Sequence, residues 1–300
     1  MSLINQIKQT LPALKLLENE HMCKHSSFKI GGTVSAFAVP SSAEELSALC
    51  EILRKIGVSP LVIGRGSNLL VSDSHLDLFV IQIGDGLCGM QRLGEKGIFA
   101  EAGISLAKLA TFAADNGLAG LEFAQGIPGS LGGGIYMNAG AYGSELSNVI
   151  RSVKYIDENS QLHESPGTAL DFGYRHSIFS GTRDIIISAE LEATPAPQAE
   201  ILEKMRELAK KRRSSQPLDF PSAGSTFKRP KDGYAAALID KAGLRGFAIG
   251  DAQVSEKHAG FVINRGRASF GDVCRLMEHI QKTVLDQSGI ALEPEVRIIK

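Results

Sequence analysis

Apolar and polar residues alternate over 34–39, which predicts a half-buried strand, and Ser41 or Ser42 then offers an N-cap for a helix through Lys55. Short apolar runs at 60–64 and 78–83 predict buried strands on either side of GRGSNLLVSD. A strand at 97–102 leads to Ser105, which starts a helix to about Asn116 that stops at Gly117. Strand patterns return at 149–157 and 184–193. The spacing of Ile201, Leu202, Met205, Leu208 and Ala209 predicts a helix ending in Lys210, Lys211, Arg212 and Arg213, a charge run that complements the helix dipole in solvent. A further helix is predicted over 233–242, with short strands near 247–249 and 260–263. Ser269 and Asp272 resemble a capping box for a helix whose buried face is Val273, Leu276, Met277, Ile280 and Val284. Residues 3–17 read as an amphipathic helix broken near Pro12.

One stretch follows neither period. Residues 122–143, EFAQGIPGSLGGGIYMNAGAYG, carry seven glycines from Gly126 to Gly143 interleaved with Ile127, Leu131, Ile135, Tyr136 and Met137. A flexible linker would be polar and unpatterned. Two readings stand: close packing without a ligand, and a backbone cradle for a large anionic cofactor.

Composition narrows the class. Three hundred residues suggest about two domains, with a break around 194–197. The expected division is 1–195, with subdomains 1–83 and 84–195, then 196–290 and a C-terminal strand 291–300. A net charge of −1 and 43% hydrophobic residues fit a globular protein without a broad nucleic-acid or anionic-membrane surface. Four dispersed cysteines make neither a zinc motif nor a disulfide framework, and the histidines show no metal pattern. No apolar run approaches the ~18 residues of a membrane span. A cytoplasmic protein with no metal ligand is expected.

Gly64-Arg65-Gly66-Ser67-Asn68 fails as a Rossmann fingerprint, because Leu69 stands where the third glycine belongs and LLVSD reads as a strand. Successive amides in such a turn still form an anion-binding nest, although an ordinary hairpin turn has the same pattern. The sequence contains no Walker A motif, which disfavours a P-loop nucleotidase.

Three more motifs complete the pattern: YRHS at 174–177, AGSTFKRP at 223–230 and LEPEVRII at 292–299. With GRGSNLL and GIPGSLGGGIYMNAGAYG, in this order and over nearly the whole chain, the sequence closely resembles the UDP-N-acetylenolpyruvoylglucosamine reductase family. The resemblance implies an α+β fold of the vanillyl-alcohol-oxidase (PCMH) type, with two FAD-binding subdomains and a separate α+β substrate domain. It implies non-covalent FAD on Gly64, Arg65, Gly66, Ser67, Asn68, Leu69, Gly126, Ile127, Pro128, Gly129, Ser130, Gly133, Gly134, Asn138, Ala139 and Gly140. NADPH is the implied co-substrate and UDP-N-acetylglucosamine enolpyruvate the implied substrate, reduced by a monomer to UDP-N-acetylmuramate. Arg175 and Glu295 are implied as charge-stabilising and orienting groups, and Ser225 as the proton donor. Tyr174, Arg212, Lys228, Arg229 and Arg297 are implied in the substrate pocket. The absence of a spare segment between Tyr174 and Thr194 matches the branch of the family without a tyrosine-bearing lid loop.

Alone, these residues have plainer readings. Arg175 would pair with Asp171, Ser225 would serve a turn, and Glu295 would sit on a half-exposed strand. An FAD oxidase of the same fold and a non-catalytic UDP-sugar module are the competing functions.

Overall fold

The computed structural model describes residues 3–300. The chain forms two compact units, Met1–Glu18 with Ala36–Arg65 and Leu78–Lys211, and Asn19–Ser35 with Gly66–Asp77 and Arg212–Lys300.

The first unit holds helices α1 (Leu3–Thr10), α2 (Ala43–Lys55), α3 (Leu106–Asp115), α4 (Leu131–Tyr136) and most of α5 (Gln198–Ser215). Caps set their limits. Ser42 Oγ accepts the Glu45 amide at 3.2 Å while the Glu45 carboxylate takes the Ser41 amide at 2.7 Å, closing the start of α2. Ser105 caps α3 through the Lys108 amide, and Gly117, at φ +66°, follows its end. The helix expected over 3–17 stops at Thr10; beyond Pro12 the chain extends, and Lys15–His21 joins the edge of a four-stranded sheet beside Thr33–Val39. An antiparallel five-stranded sheet runs Leu162–Pro166, Ile150–Ile156, Ile185–Glu192, Gly97–Glu101, Met90–Leu93. Its central strand Ile185–Glu192 is buried along most of its length.

The compact units do not coincide with the expected break at 195/196. Thr194–Pro195 pairs with Leu118–Ala119, and Ile201, Met205 and Leu208 of α5 are buried in the first core. The helix therefore belongs with the first unit as far as Lys211.

In the second unit an antiparallel sheet runs Ser222–Ser225, Phe261–Asn264, Ala252–Val254, Ala248–Ile249. It is accompanied by α6 (Ala235–Lys241) and α7 (Phe270–Ser288). The buried stripe of α7 is Val273, Leu276, Met277, Ile280 and Val284, and its capping box is Ser269 with Asp272. This unit has its own core, from Phe28 and Ile30 through Leu70 to Leu292 and Val296. Arg297–Ile299 pairs in parallel with Leu69–Val71. Among the described residues no helix is long and apolar enough to cross a membrane.

Candidate active site

The glycine stretch folds into a 3-10 turn (Glu122–Gly126), the short helix α4 and a small hairpin of Gly140–Ala141 with Ser144–Glu145. Both readings of its glycines hold, at different positions. Gly134 is buried, and a Cβ there would come within 2.8 Å of Leu146 Cδ1 and 3.2 Å of Leu106 Cδ1, so it packs α4 onto the core. Gly133 is exposed, and a Cβ there would meet only Ser130 Oγ, at 3.5 Å. One side of the helix start is therefore bare backbone. Ser130, 2% exposed, caps it through the Gly133 amide.

The two glycine loops meet within the first unit. A Cβ on Gly64 would collide with Ser130 Oγ, so only glycine allows this approach. Arg65 beside it is exposed. Gly126, Ile127, Pro128, Gly129, Ala139 and Gly140 line the same stretch, half-buried or exposed, with Pro128 the most open side. Bare backbone at Gly133, beside the close approach of Gly64 to Ser130, is the kind of surface a dinucleotide's phosphates need, and the residues present fit FAD. Gly66, Ser67, Asn68 and Leu69 belong to the second unit. Gly66 is buried, has φ +62°, and a Cβ there would collide with the His25 carbonyl. Leu69 opens a strand where the Rossmann fingerprint would need a helix.

Asn138, also expected at the cofactor, has a fully buried side chain committed to protein. Its Nδ2 donates to Gly173 O at 3.0 Å, and its Oδ1 accepts the Ser147 amide at 3.0 Å. The sequence signal here concerned the backbone alone: asparagine is among the few residues tolerant of positive φ after a helix, and Asn138 has φ +41°. The motif YRHS forms a tight turn in the first unit, with Arg175 half-buried at φ +55° and its guanidinium 5.1 Å from the exposed Tyr174 ring. Asp171 faces His176, Nε2 to Oδ2 at 3.3 Å.

Ser225 and Glu295 lie in the second unit. A register shift between Ser222 and Ser225, with Gly224 at φ +78°, bends the strand just before Ser225. Such bulges re-aim side chains. Thr226, buried, then donates its amide to Gly260 O at 2.8 Å, and its Oγ1 accepts the Val262 amide at 3.0 Å. On the other edge Glu295 N donates to Thr226 O at 2.8 Å, and Phe227 bridges Pro294. Ser225 and Glu295 thus come from adjoining extended segments. Asn68 holds the second of these, Nδ2 donating to Glu295 O at 3.0 Å and its own carbonyl accepting from Arg297 N at 2.9 Å.

The expected substrate residues are spread over distinct settings. Lys228 is ion-paired with Glu293 at 2.5 Å, and Arg229 lies 4.8 Å over the Tyr234 ring. Arg297 is exposed on its strand, and Arg212 is half-buried in the last turn of α5.

Comparison with known proteins decides the family. The model for "UDP-N-acetylenolpyruvoylglucosamine reductase, C-terminal domain" matches residues 216–299, and that for "FAD binding domain" matches 34–165. The reductase of that name from Caldanaerobacter subterraneus subsp. tengcongensis is 46% identical over 99% of this chain and 98% of its own. This chain belongs to the UDP-N-acetylenolpyruvoylglucosamine reductase family. The corresponding enzyme of Agathobacter rectalis is 45% identical over 99% of this chain and 98% of its own. The crystal structure of the Thermus caldophilus reductase superposes with a TM-score of 0.80 at 31% identity, covering 96% of this chain and 99% of that one. An alkyldihydroxyacetonephosphate synthase, at 18% identity and TM-score 0.50 over 65% of this chain and 41% of that one, shares the fold alone. The fold is thus the FAD-binding type expected, and the protein is a flavin oxidoreductase of the peptidoglycan-forming family.

Proposed function

We propose that the protein reduces UDP-N-acetylglucosamine enolpyruvate to UDP-N-acetylmuramate with electrons from NADPH, as a cytoplasmic monomer that needs no nucleic acid, membrane or metal. The observation that carries the reading is near-complete coverage by reductases of this name together with Ser225 and Glu295 on adjoining segments. In this reading the FAD region runs to Lys211 with the first compact unit, the substrate domain follows from Arg212, and 291–300 supplies Glu295. Gly133 leaves backbone open to the diphosphate of FAD, and Gly64 lets the neighbouring loop approach Ser130 beside it, without covalent attachment.

Bound FAD, once reduced by NADPH, would supply the hydride that reaches the enolpyruvyl methylene carbon. Negative charge then builds on the substrate carboxylate. A fixed guanidinium stabilises such charge, which is the role assigned to Arg175. Ser225 gives its hydroxyl proton to the neighbouring carbon; a hydroxyl of ordinary acidity suffices for so basic an enolate. The bulge before Ser225 and the paired Thr226 fix the backbone from which that hydroxyl projects, which supports a donor that must face one side of a planar carbon. Glu295 orients the substrate. Tyr174, Arg212, Lys228, Arg229 and Arg297 are assigned to its carboxylate and diphosphate, with Lys228 exchanging Glu293 for the ligand.

The test is Ser225→Ala followed in two half-reactions. NADPH should bleach the flavin as before, while reoxidation by the enolpyruvyl substrate should fall at least ~100-fold, the low end for a lost general acid. Equal loss in both halves would contradict the role. A protein that cannot be reconstituted with FAD would overturn the reading as a whole.

A further inference from the structure

The turn that carries Arg175 is built against its own preference. Gly173 N donates to His176 O at 3.1 Å and His176 N to Gly173 O at 3.2 Å, which leaves Tyr174 and Arg175 as the two central residues. Arg175, the second of them, has φ +55°, where such a turn favours glycine. Side chains there crowd the backbone, and a residue stays in that conformation only where its surroundings over-determine it.

The surroundings that do so come from the end of the glycine stretch. Gly173 O accepts a second hydrogen bond, from Asn138 Nδ2 at 3.0 Å. The Asn138 amide has one possible orientation: Ser147 N can only donate, so the oxygen faces Ser147 and the NH₂ faces Gly173. The side chain is wholly buried, so water does not replace either bond. Past the turn, Ser177 Oγ donates to Tyr136 O at 2.9 Å, and Ser180 Oγ accepts the Ser177 amide at 3.1 Å. Gly181 N donates to the Tyr136 hydroxyl at 3.2 Å. Residues 136 and 138, two positions apart at the end of α4, therefore hold both ends of the turn.

We infer that Asn138 is a positioning residue for Arg175: its buried amide fixes the strained turn so that the guanidinium is held in one place, and the glycine stretch that serves the cofactor also sets the charge-stabilising group. The inference rests on the role proposed for Arg175. It separates Asn138 from Gly133 in the same stretch, whose contribution is bare backbone.

The experiment uses Asn138→Ala and Asn138→Asp. The aspartate variant keeps an acceptor for Ser147 and, ionised, has no donor for Gly173 and sets a charge against its carbonyl, so at alkaline pH it tests the brace if the alanine variant fails to fold. Hydrogen exchange of the peptide spanning 170–178, measured on the apoprotein, should accelerate at the amides of 173 and 176 by at least ~10-fold, because a turn bond loses its support. Reoxidation of the flavin by the enolpyruvyl substrate, counted per bound flavin, should fall ~10- to 100-fold, the scale of a small misplacement of a reacting group. In an Arg175→Ala background the same Asn138 substitution should cause no further loss in that step. Unchanged exchange over 170–178 in the aspartate variant would overturn the inference, as would additive losses in the double variant. If Arg175→Ala itself reoxidises at the normal rate, the catalytic role of Arg175 fails, while the exchange result still decides whether Asn138 holds the turn.

Discussion

The side-chain amide of Asn68 donates to the main-chain carbonyl of Glu295 at 3.0 Å, although 227 positions separate the two residues. The carbonyl of Asn68 in turn accepts from Arg297 N. A loop residue expected at the cofactor thereby fixes the extended segment that presents Glu295. Asn68→Ala should cost about 1 kcal/mol in urea unfolding, the usual net worth of one such bond, and should slow the substrate half-reaction more than flavin reduction.

The approach of Gly64 to Ser130 gives a pair prediction. Gly64→Ala forces Ser130 Oγ to rotate away and lose the Gly133 amide, at about 1 kcal/mol for a forfeited cap. Ser130→Ala loses the same cap but removes the colliding oxygen. The double variant should therefore be no less stable than Ser130→Ala alone, and a double-mutant cycle by thermal unfolding reads this directly. Additive losses would mean that the two loops do not meet as described.

Gly133→Ala and Gly134→Ala separate the cradle from the packing. The added methyl of Gly134→Ala meets Leu146 and Leu106, so a loss of about 1–3 kcal/mol in stability is expected. Gly133→Ala has room for its methyl and improves helix propensity, so the apoprotein should be as stable as the parent or more so. Its flavin affinity, titrated by fluorescence quenching, should nevertheless fall.

The capping box of α7 predicts an acid-side dependence. The Ser269 amide, then its side chain, holds the Asp272 carboxyl below the usual carboxylate range. A depressed folded value means that the stabilisation is complete above the ordinary pKa of about 3.9 and is lost as pH falls through the lower folded value. Asp272→Ala should thus cost about 1 kcal/mol at neutral pH, with the difference from the parent shrinking below about pH 4.

Strands and helices with a single period were legible in the sequence. Ser42, Ser105 and Ser269 announced their helices because each cap is a local bond between residues three apart. The strand Lys15–His21 was hidden, since KLLENEH has no strict alternation and extends only because the neighbouring Thr33–Val39 offers an edge. The extent of α5 was visible, yet its allegiance was not: Ile201, Met205 and Leu208 state that a face is buried without saying in which core. For the candidate site, the residue types were readable through the family resemblance. The supports were not, because Asn68 with Glu295 and Asn138 with Gly173 are bonds across long sequence separations. A loop asparagine looks the same in sequence whether its amide faces a ligand or a carbonyl.

The parallel pairing of Leu69–Val71 with Arg297–Ile299 sets an order on synthesis. All segments of the first unit have left the ribosome once Lys211 has emerged, whereas the segment Gly66–Asp77 must wait for a strand made at 297–299. Contacts of such separation close slowly and leave strand edges open meanwhile. The nascent chain should therefore gain protease resistance in two stages, with 66–77 remaining cleavable until residues 297–299 have emerged.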